Sequence, residues 1–489
     1  MSHLLQFLKD IPAIWESIPV SHQLLLYGVL ELGSILYILG QRRPPLATLS
    51  WILAFLFVPV LSVGFYFLFG PRKLKRRNVR RELARHQAAH HGPHRHQQLP
   101  DTLASRHWLL AQARVATECG SAPPRPVEQL EILVDGDATY ATIEAAMQAA
   151  RHHIHVEYYI FKADEIGTRW RDLLTEKAQA GVKVRMLVDA VGSPRCRRMS
   201  FWQPLLEAGG EVRVFNPPKV VPFRPSMVNF RNHRKIVVID GSVGYVGGMN
   251  FAQRYLTGTE LGMWRDTHFR LTGVAVAGLQ GSFLVDWYAV SRKVVNMDRY
   301  FDPSVLPNEY SPSVQFVQGG PISHWRTLEQ AIIYMISRAS ERICIQTPYF
   351  LPTENLNNAI ITSALAGVEV ELMLPECTDS RLTTFAANSY LSQLLEAGVK
   401  IYQYREGFLH SKLLMVDERI ASIGSANMDF RSLEHNFEIS GFVYDSGITK
   451  RLIALFEADK KRCRLLTAEE WAGRSRQTRM AESVMRLFA

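Results

Sequence analysis

The sequence predicts an α/β protein of two internal repeats packed pseudo-symmetrically, preceded by an N-terminal transmembrane helical hairpin. Three observations carry that expectation. A six-residue pattern occurs twice at identical spacing, 177 residues apart; longer blocks around both copies match one another; and the first 70 residues are largely apolar.

The first copy of the pattern is His233, Lys235, Asp240, Gly247, Gly248 and Asn250, and the second is His410, Lys412, Asp417, Gly424, Ser425 and Asn427. In each copy the Lys and Asp are separated by an uninterrupted apolar run, Ile236 to Ile239 and Leu413 to Val416. Such a run reads as a strand buried on both faces rather than an amphipathic helix. The period of two along a strand places His and Lys on one side. Two elements of this kind, brought together, surround one small volume with two imidazoles and two ammonium groups. That set suits phosphoryl chemistry: one imidazole attacks phosphorus, the other moves the proton, and the lysines hold the non-bridging oxygens. A single His-x-Lys carries little weight. Duplication at fixed offsets changes this, and the competing reading is an internal repeat without chemistry.

The repeat extends past the motifs. Ala180 to Val184 matches Ala366 to Val370, Leu205 to Gly209 matches Leu394 to Gly398, and Ile154 to Phe161 echoes Ile343 to Phe350. Each half then reads as helices alternating with apolar strands, with helical stretches at Thr139 to Arg151 and Ser323 to Ser340. The interval from the Leu-Leu-Glu-Ala-Gly block to the His is 24 residues in the first half and 12 in the second, so the first half carries an insertion at Pro217 to Pro225. Its apolar, basic and proline-rich composition fits a surface loop or a lip that touches lipid.

Leu46 to Gly70 contains no charged residue over 25 positions, which exceeds the ~20 needed to cross a bilayer. It reads as a transmembrane helix kinked at Pro59. Ile18 to Gly40 is also apolar but includes His22 and Glu31, and reads as a second, weaker span. No small-residue cleavage site follows a short apolar region, so both segments are expected to remain as anchors. Arg72, Lys73, Lys75, Arg76, Arg77, Arg80 and Arg81 follow directly and outweigh Arg42 and Arg43 in the connection, so both ends of the hairpin are expected in the cytoplasm. Five cysteines without a Cys-x-x-Cys pair fit a reducing compartment and point to neither a disulfide framework nor a zinc site.

The net charge of +10 is concentrated: residues 71–100 carry +8, which leaves the rest of the chain nearly neutral. A juxtamembrane basic cluster reads as attraction to anionic lipid headgroups rather than as a groove for nucleic acid. His86, His90, His91, His94 and His96 lie in the same stretch, where a solvated spacer outweighs weak metal binding. These divisions give four regions: a membrane anchor at 1–70, a basic His-rich linker at 71–125, and two halves at 126–310 and 311–489. A nucleophilic imidazole needs its second nitrogen fixed by an acceptor, so each half should supply an acid on a later strand. Asp266, 33 residues after His233, and Glu438, 28 after His410, are the candidates.

Both copies match the HxK(x)4D(x)6G(G/S)xN signature, and on it the halves resemble the repeats of the phospholipase D superfamily. With the anchors and the basic belt, the chain resembles the bacterial cardiolipin synthases over nearly its whole length. The phrases Phe230 to Lys235 and Gly424 to Asp429 belong to that likeness. The resemblance implies two phospholipase D-like repeats in a multi-pass protein of the bacterial inner membrane with a cytoplasmic catalytic domain. It also implies transfer of a phosphatidyl group between two phosphatidylglycerol molecules, releasing glycerol, with no cofactor. By the same analogy His233 is the nucleophile and His410 the acid and base. Lys235, Lys412, Asn250 and Asn427 hold phosphate oxygens, with Ser425 beside them. Asp240 and Asp417, though part of the catalytic signature, read as orienting residues on the far parity of each strand. No metal site is expected, and a homo-oligomeric state is left open. Hydrolysis of the intermediate by water, or phosphatidylethanolamine as donor, fits the same motifs. A nuclease is disfavoured by the anchors and the neutral catalytic region. A membrane-tethered lipid-binding module without catalysis is the reading from a different class.

Overall fold

The computed structural model describes residues 19–40, 45–69, 107–217, 230–293, 295–301 and 312–487. The basic cluster at 72–81, the histidines at 86–96, Arg42 and Arg43, and all of the 217–225 insertion except Pro217 lie outside the described residues. The described residues form two bodies, an N-terminal helical unit and a large α/β unit.

In the N-terminal unit, Val20–Leu39 is one continuous helix of 20 residues, long and apolar enough to cross a bilayer. The Leu46 to Gly70 stretch, expected as the stronger span, is instead two shorter helices, Pro45–Phe57 and Pro59–Phe69. The break falls where Pro59 offers no N–H to continue the ladder. Tyr66 packs edge-on against Tyr37, Trp51 and Phe55, which ties the helices together around Ile38, Phe55 and Val63. Most other apolar side chains here, such as Leu25, Leu36, Leu49 and Leu61, are exposed.

The α/β unit contains two sheets of the same plan. The first runs, edge to edge, Gln129–Val134, Thr267–Thr272, Val243–Gly247, Lys235–Ile239, His153–Tyr158, Lys183–Asp189 and Glu211–Phe215. The second places Ser313–Gly319, Glu438–Tyr444, Ile420–Gly424, Leu413–Val416, Arg342–Gln346, Glu369–Pro375 and Lys400–Tyr404 in the corresponding order, with short edge strands Arg125–Pro126 and Cys463–Leu466 added outside. In both sheets the three strands joined by helical crossovers are parallel and the motif strands antiparallel. The helices expected at 139–151 and 323–340 appear as Asp135–Ala149 and Thr327–Ser337.

The apolar runs inside the motifs explain how the halves meet. Val237 and Ile239 point into the first half's own helix-covered core, while Ile236 and Val238 point into a core shared with Leu413, Met415, Ala421, Ile423 and Ile439 of the second half. Leu414 and Val416 face the opposite way, into the second half's own core. Both faces of each motif strand are therefore buried, and the two sheets stack through the shared layer. One boundary differs from expectation. The linker was expected to run to 125, but His107–Glu118 is a helix whose Leu109, Ala113 and Ala116 are buried in the second half's core. The Gln112 side chain donates to the Ala331 carbonyl at 3.0 Å and Gln315 donates to that of Ala113 at 3.2 Å, so this helix belongs structurally to a half more than 200 residues away.

Candidate active site

The two histidines sit where strands of opposite halves run together. Phe408–Leu409 pairs in parallel with Trp264–Arg265, and the His410 N–H donates to the Arg265 carbonyl at 2.7 Å. In the mirrored arrangement Asn232 bridges to Phe437, and the His233 N–H donates to the Phe437 carbonyl at 2.9 Å. The parallel register thereby sets each histidine directly opposite the other half's acid. Asp266 Oδ2 lies 2.6 Å from His410 Nδ1, and Glu438 Oε1 lies 2.9 Å from His233 Nδ1. Each of the two acids picked out by spacing contacts the histidine of the opposite half, a crossing that offsets along one half cannot reveal.

With Nδ1 engaged, Nε2 is the nitrogen of His233 left to react. Lys235 Nζ donates to the His233 carbonyl at 2.6 Å, and Lys412 Nζ donates to that of His410. This is the same-side geometry of residues two apart on a strand. Lys412 Nζ also stands 2.9 Å from His410 Nδ1. Burial strips water from all four groups. It pulls Lys235 down to about 7 and Lys412 to about 8, against the opposing pull of Glu438 and Asp266. Burial likewise lowers His233 despite Glu438. His410 falls well below its ordinary value through burial, Lys412 and then Lys235. Burial pushes Glu438 upward, but His233 and Lys235 outweigh it and hold the carboxylate below its usual range, whereas burial dominates at Asp266 and raises it. Both lysines act on both histidines, which is the electrostatic mark of one shared site.

Asp240 and Asp417, grouped with the catalytic signature, stand at the far end of their strands. Asp240 accepts from the backbone N–H groups of Arg151, His152 and His153 at 2.8 to 2.9 Å. Asp417 accepts those of Ser340, Glu341 and Arg342 at 2.8 to 2.9 Å. Five strand residues at about 3.3 Å each put Asp240 roughly 17 Å from the lysine end. Both aspartates anchor the start of the neighbouring strand. Each asparagine amide is engaged by a neighbouring side chain. Asn250 Nδ2 donates to Tyr255 Oη at 3.2 Å and Asn427 Nδ2 to Asp429 Oδ2 at 3.0 Å.

Gly248 and Ser425 occupy equivalent positions with different consequences. Ser425 Oγ donates to Glu438 and accepts from the Ile439 N–H at 3.0 Å. A Cβ on Gly248 would fall 2.1 Å from Asp266 Oδ1, so the shorter acid fills the space that a serine would need. Gly248→Ser is expected to displace Asp266 from His410 and to cost about 1 to 3 kcal/mol through overpacking. Turnover and thermal melting of that variant check this; wild-type turnover would refute it.

Spacing alone missed several groups. Tyr159 packs its ring 4.8 Å from that of His233, and Tyr255 Oη lies 3.3 Å from His410 Nδ1. The loop carrying His233 is held by Asp189, which accepts from the Asn232 N–H at 3.0 Å and pairs with Arg231 at 3.4 Å, and by Glu157, which accepts from the Asn232 amide. Tyr159 and Glu157 lie in the matched block 154–161, so a signal existed, but in the second half Gln346 and Pro348 stand at those places.

Comparison with known proteins gives the family. The family described as "Cardiolipin synthase, PLD-like domain" matches residues 143–266 and 332–460, and a "Phospholipase_D-nuclease N-terminal" family matches 32–71. A cardiolipin synthase of Geobacillus kaustophilus is 38% identical over 95% of this chain and 93% of its own length. The major cardiolipin synthase of Bacillus subtilis is 37% identical over 93% and 96%. Among solved structures, a phosphatidylserine synthase of Haemophilus influenzae superposes with a TM-score of 0.59 at 19% identity, covering 77% of this chain and 96% of that one; it supports the two-repeat α/β fold. The chain belongs to the cardiolipin synthase family, phosphatidyltransferases of the phospholipase D superfamily.

Proposed function

We propose that the protein transfers a phosphatidyl group from one phosphatidylglycerol to the terminal hydroxyl of a second, releasing glycerol, through a phosphatidyl-His233 intermediate. The observation that carries this reading is the crossed pair of oriented histidines, each with its lysine, at one seam. In the first half-reaction His233 Nε2 forms a bond to phosphorus, the bond from phosphorus to the glycerol oxygen breaks, and His410 gives that oxygen its proton. In the second, the acceptor hydroxyl loses its proton to His410, its oxygen bonds to phosphorus, and the P–N bond breaks to restore His233. Lys235 and Lys412 meet the charge on the non-bridging oxygens, so no metal or cofactor is needed. The anionic phosphodiester, entering between the lysines, offsets the charges that depress His410 and favours its protonated form.

The purified chain incubated with phosphatidylglycerol vesicles is expected to yield cardiolipin and glycerol. Phosphatidic acid as the product would make the enzyme a hydrolase, and turnover only with added phosphatidylethanolamine would change the donor. The exposed apolar helices of the N-terminal unit support a hairpin of two spans, with Pro45–Phe57 and Pro59–Phe69 together forming the second. The basic residues after Gly70 support a cytoplasmic catalytic unit. A reporter fused to the C-terminus is then expected on the cytoplasmic side, and periplasmic labelling there would overturn this topology.

A further inference from the structure

Arg254 lies four residues after Asn250 and Arg431 four after Asn427, so the 177-residue repeat carries a seventh position. Their surroundings differ. Arg431 is exposed, whereas Arg254 is half-buried and its guanidinium carbon stands 4.1 Å from the ring centroid of Trp264. The Trp264 ring is itself 5.1 Å from that of His410. The guanidinium is thus held one indole away from the imidazole, and its charge acts on Lys235, Lys412 and His410. Arg254 Nε is buried and donates to no acceptor, and no carboxylate pairs with this guanidinium among the described residues. Stacking on an aromatic face leaves the in-plane N–H groups of an arginine free for an anion.

A third cation beside two buried lysines, without an anion of its own, is costly unless an incoming group completes it. The reaction proposed above, on which this inference rests, brings such a group. The acceptor phosphatidylglycerol carries its own phosphodiester, a three-carbon bridge away from the reacting hydroxyl, while both lysines are committed to the phosphate under attack. The acceptor hydroxyl must lie beside His410, which takes its proton, and Arg254 flanks His410. We propose that Arg254 binds the phosphodiester of the acceptor lipid and so aims its terminal hydroxyl at His410, selecting a lipid acceptor over water and small alcohols.

The test is a competition for the phosphatidyl group. Purified full-length wild type, Arg254→Gln, Arg254→Lys and Arg431→Gln are given phosphatidylglycerol vesicles in buffer containing ethanol, and cardiolipin, phosphatidylethanol and phosphatidic acid are quantified. Arg254→Gln is expected to lower the ratio of cardiolipin to the other two products about 10- to 100-fold, as for loss of a charge-assisted hydrogen bond. Arg254→Lys should recover part of that ratio, and Arg431→Gln should keep the wild-type ratio. Because the readout is a ratio within one sample, a poorly folded fraction does not imitate the effect. An unchanged ratio in Arg254→Gln, or the same fall in all three products, overturns the subsite. A fall confined to Arg431→Gln would place the acceptor beside His233 and also overturn it. In each of these cases a wild type that makes cardiolipin leaves the proposed function standing. A wild type that makes only phosphatidic acid from pure phosphatidylglycerol vesicles, without ethanol, refutes that function and the acceptor subsite with it.

Discussion

His410→Ala is expected to trap a phosphatidyl adduct that His233→Ala never forms. The two histidines look equivalent in the repeat, and each is oriented through Nδ1 by a buried carboxylate. Their roles separate once the leaving group is varied. An activated phosphatidyl donor, whose leaving group departs without a proton, needs only the nucleophile, because general-acid assistance matters least for such groups. His410→Ala therefore still completes the first half-reaction. The second half-reaction then lacks its base, and attack by the acceptor hydroxyl should slow by ~10² to 10⁴. The adduct persists, and intact-protein mass after a short incubation records it. An adduct on His233→Ala but not on His410→Ala would reverse the roles. Clean masses for both variants and for wild type would count against a covalent intermediate.

How much of this site was legible beforehand depended on whether a relationship stays within one half. The six-residue pattern, the doubly buried strands and the α/β alternation are local or repeated features, and their spacing survives folding unchanged. The far-end placement of Asp240 and Asp417 also follows from their offset of five residues from each lysine along a strand. The crossing does not. Asp266 and Glu438 were found as acids a fixed distance downstream, yet the pairing of Trp264–Arg265 with Phe408–Leu409 puts each acid beside the other half's histidine. A pairing of strands some 144 residues apart leaves no mark in offsets counted along the chain. The helix His107–Glu118 was hidden for a similar reason: its burial comes from Ile332 and Met335, far downstream. The break at Pro59 was legible because a proline lacks the N–H that continues the ladder, whereas hydropathy alone does not say that the two pieces are separate helices, Pro45–Phe57 and Pro59–Phe69.

Glu438→Gln and Asp266→Asn should fail at opposite half-reactions, and in the order that the crossing dictates. An amide in place of the carboxylate keeps the shape but no longer stabilises the charged imidazole, and it can present N–H where the ring nitrogen needs an acceptor. Glu438 serves His233, so Glu438→Gln should weaken the nucleophile and slow adduct formation even with an activated donor, by ~10² to 10⁴. Asp266 serves His410, so Asp266→Asn should form the adduct at close to the wild-type rate with that donor and then discharge it slowly. Pairing within each half would give the reverse result, with Asp266→Asn slow to form the adduct and Glu438→Gln slow to release it. Rapid-quench measurement of adduct formation and decay in the two variants separates the cases. The asymmetry of the acids sharpens the contrast. Glu438 is held as a carboxylate by His233 and Lys235 and also accepts from the Ser425 hydroxyl, so glutamine, with a single acceptor oxygen, leaves His233 and Ser425 competing for it. Asp266 is raised by burial and stands against Gly248, where the backbone leaves room for nothing else. Equal slowing of both half-reactions in both variants would mean that the carboxylates act as one buried charge rather than as separate partners of two histidines.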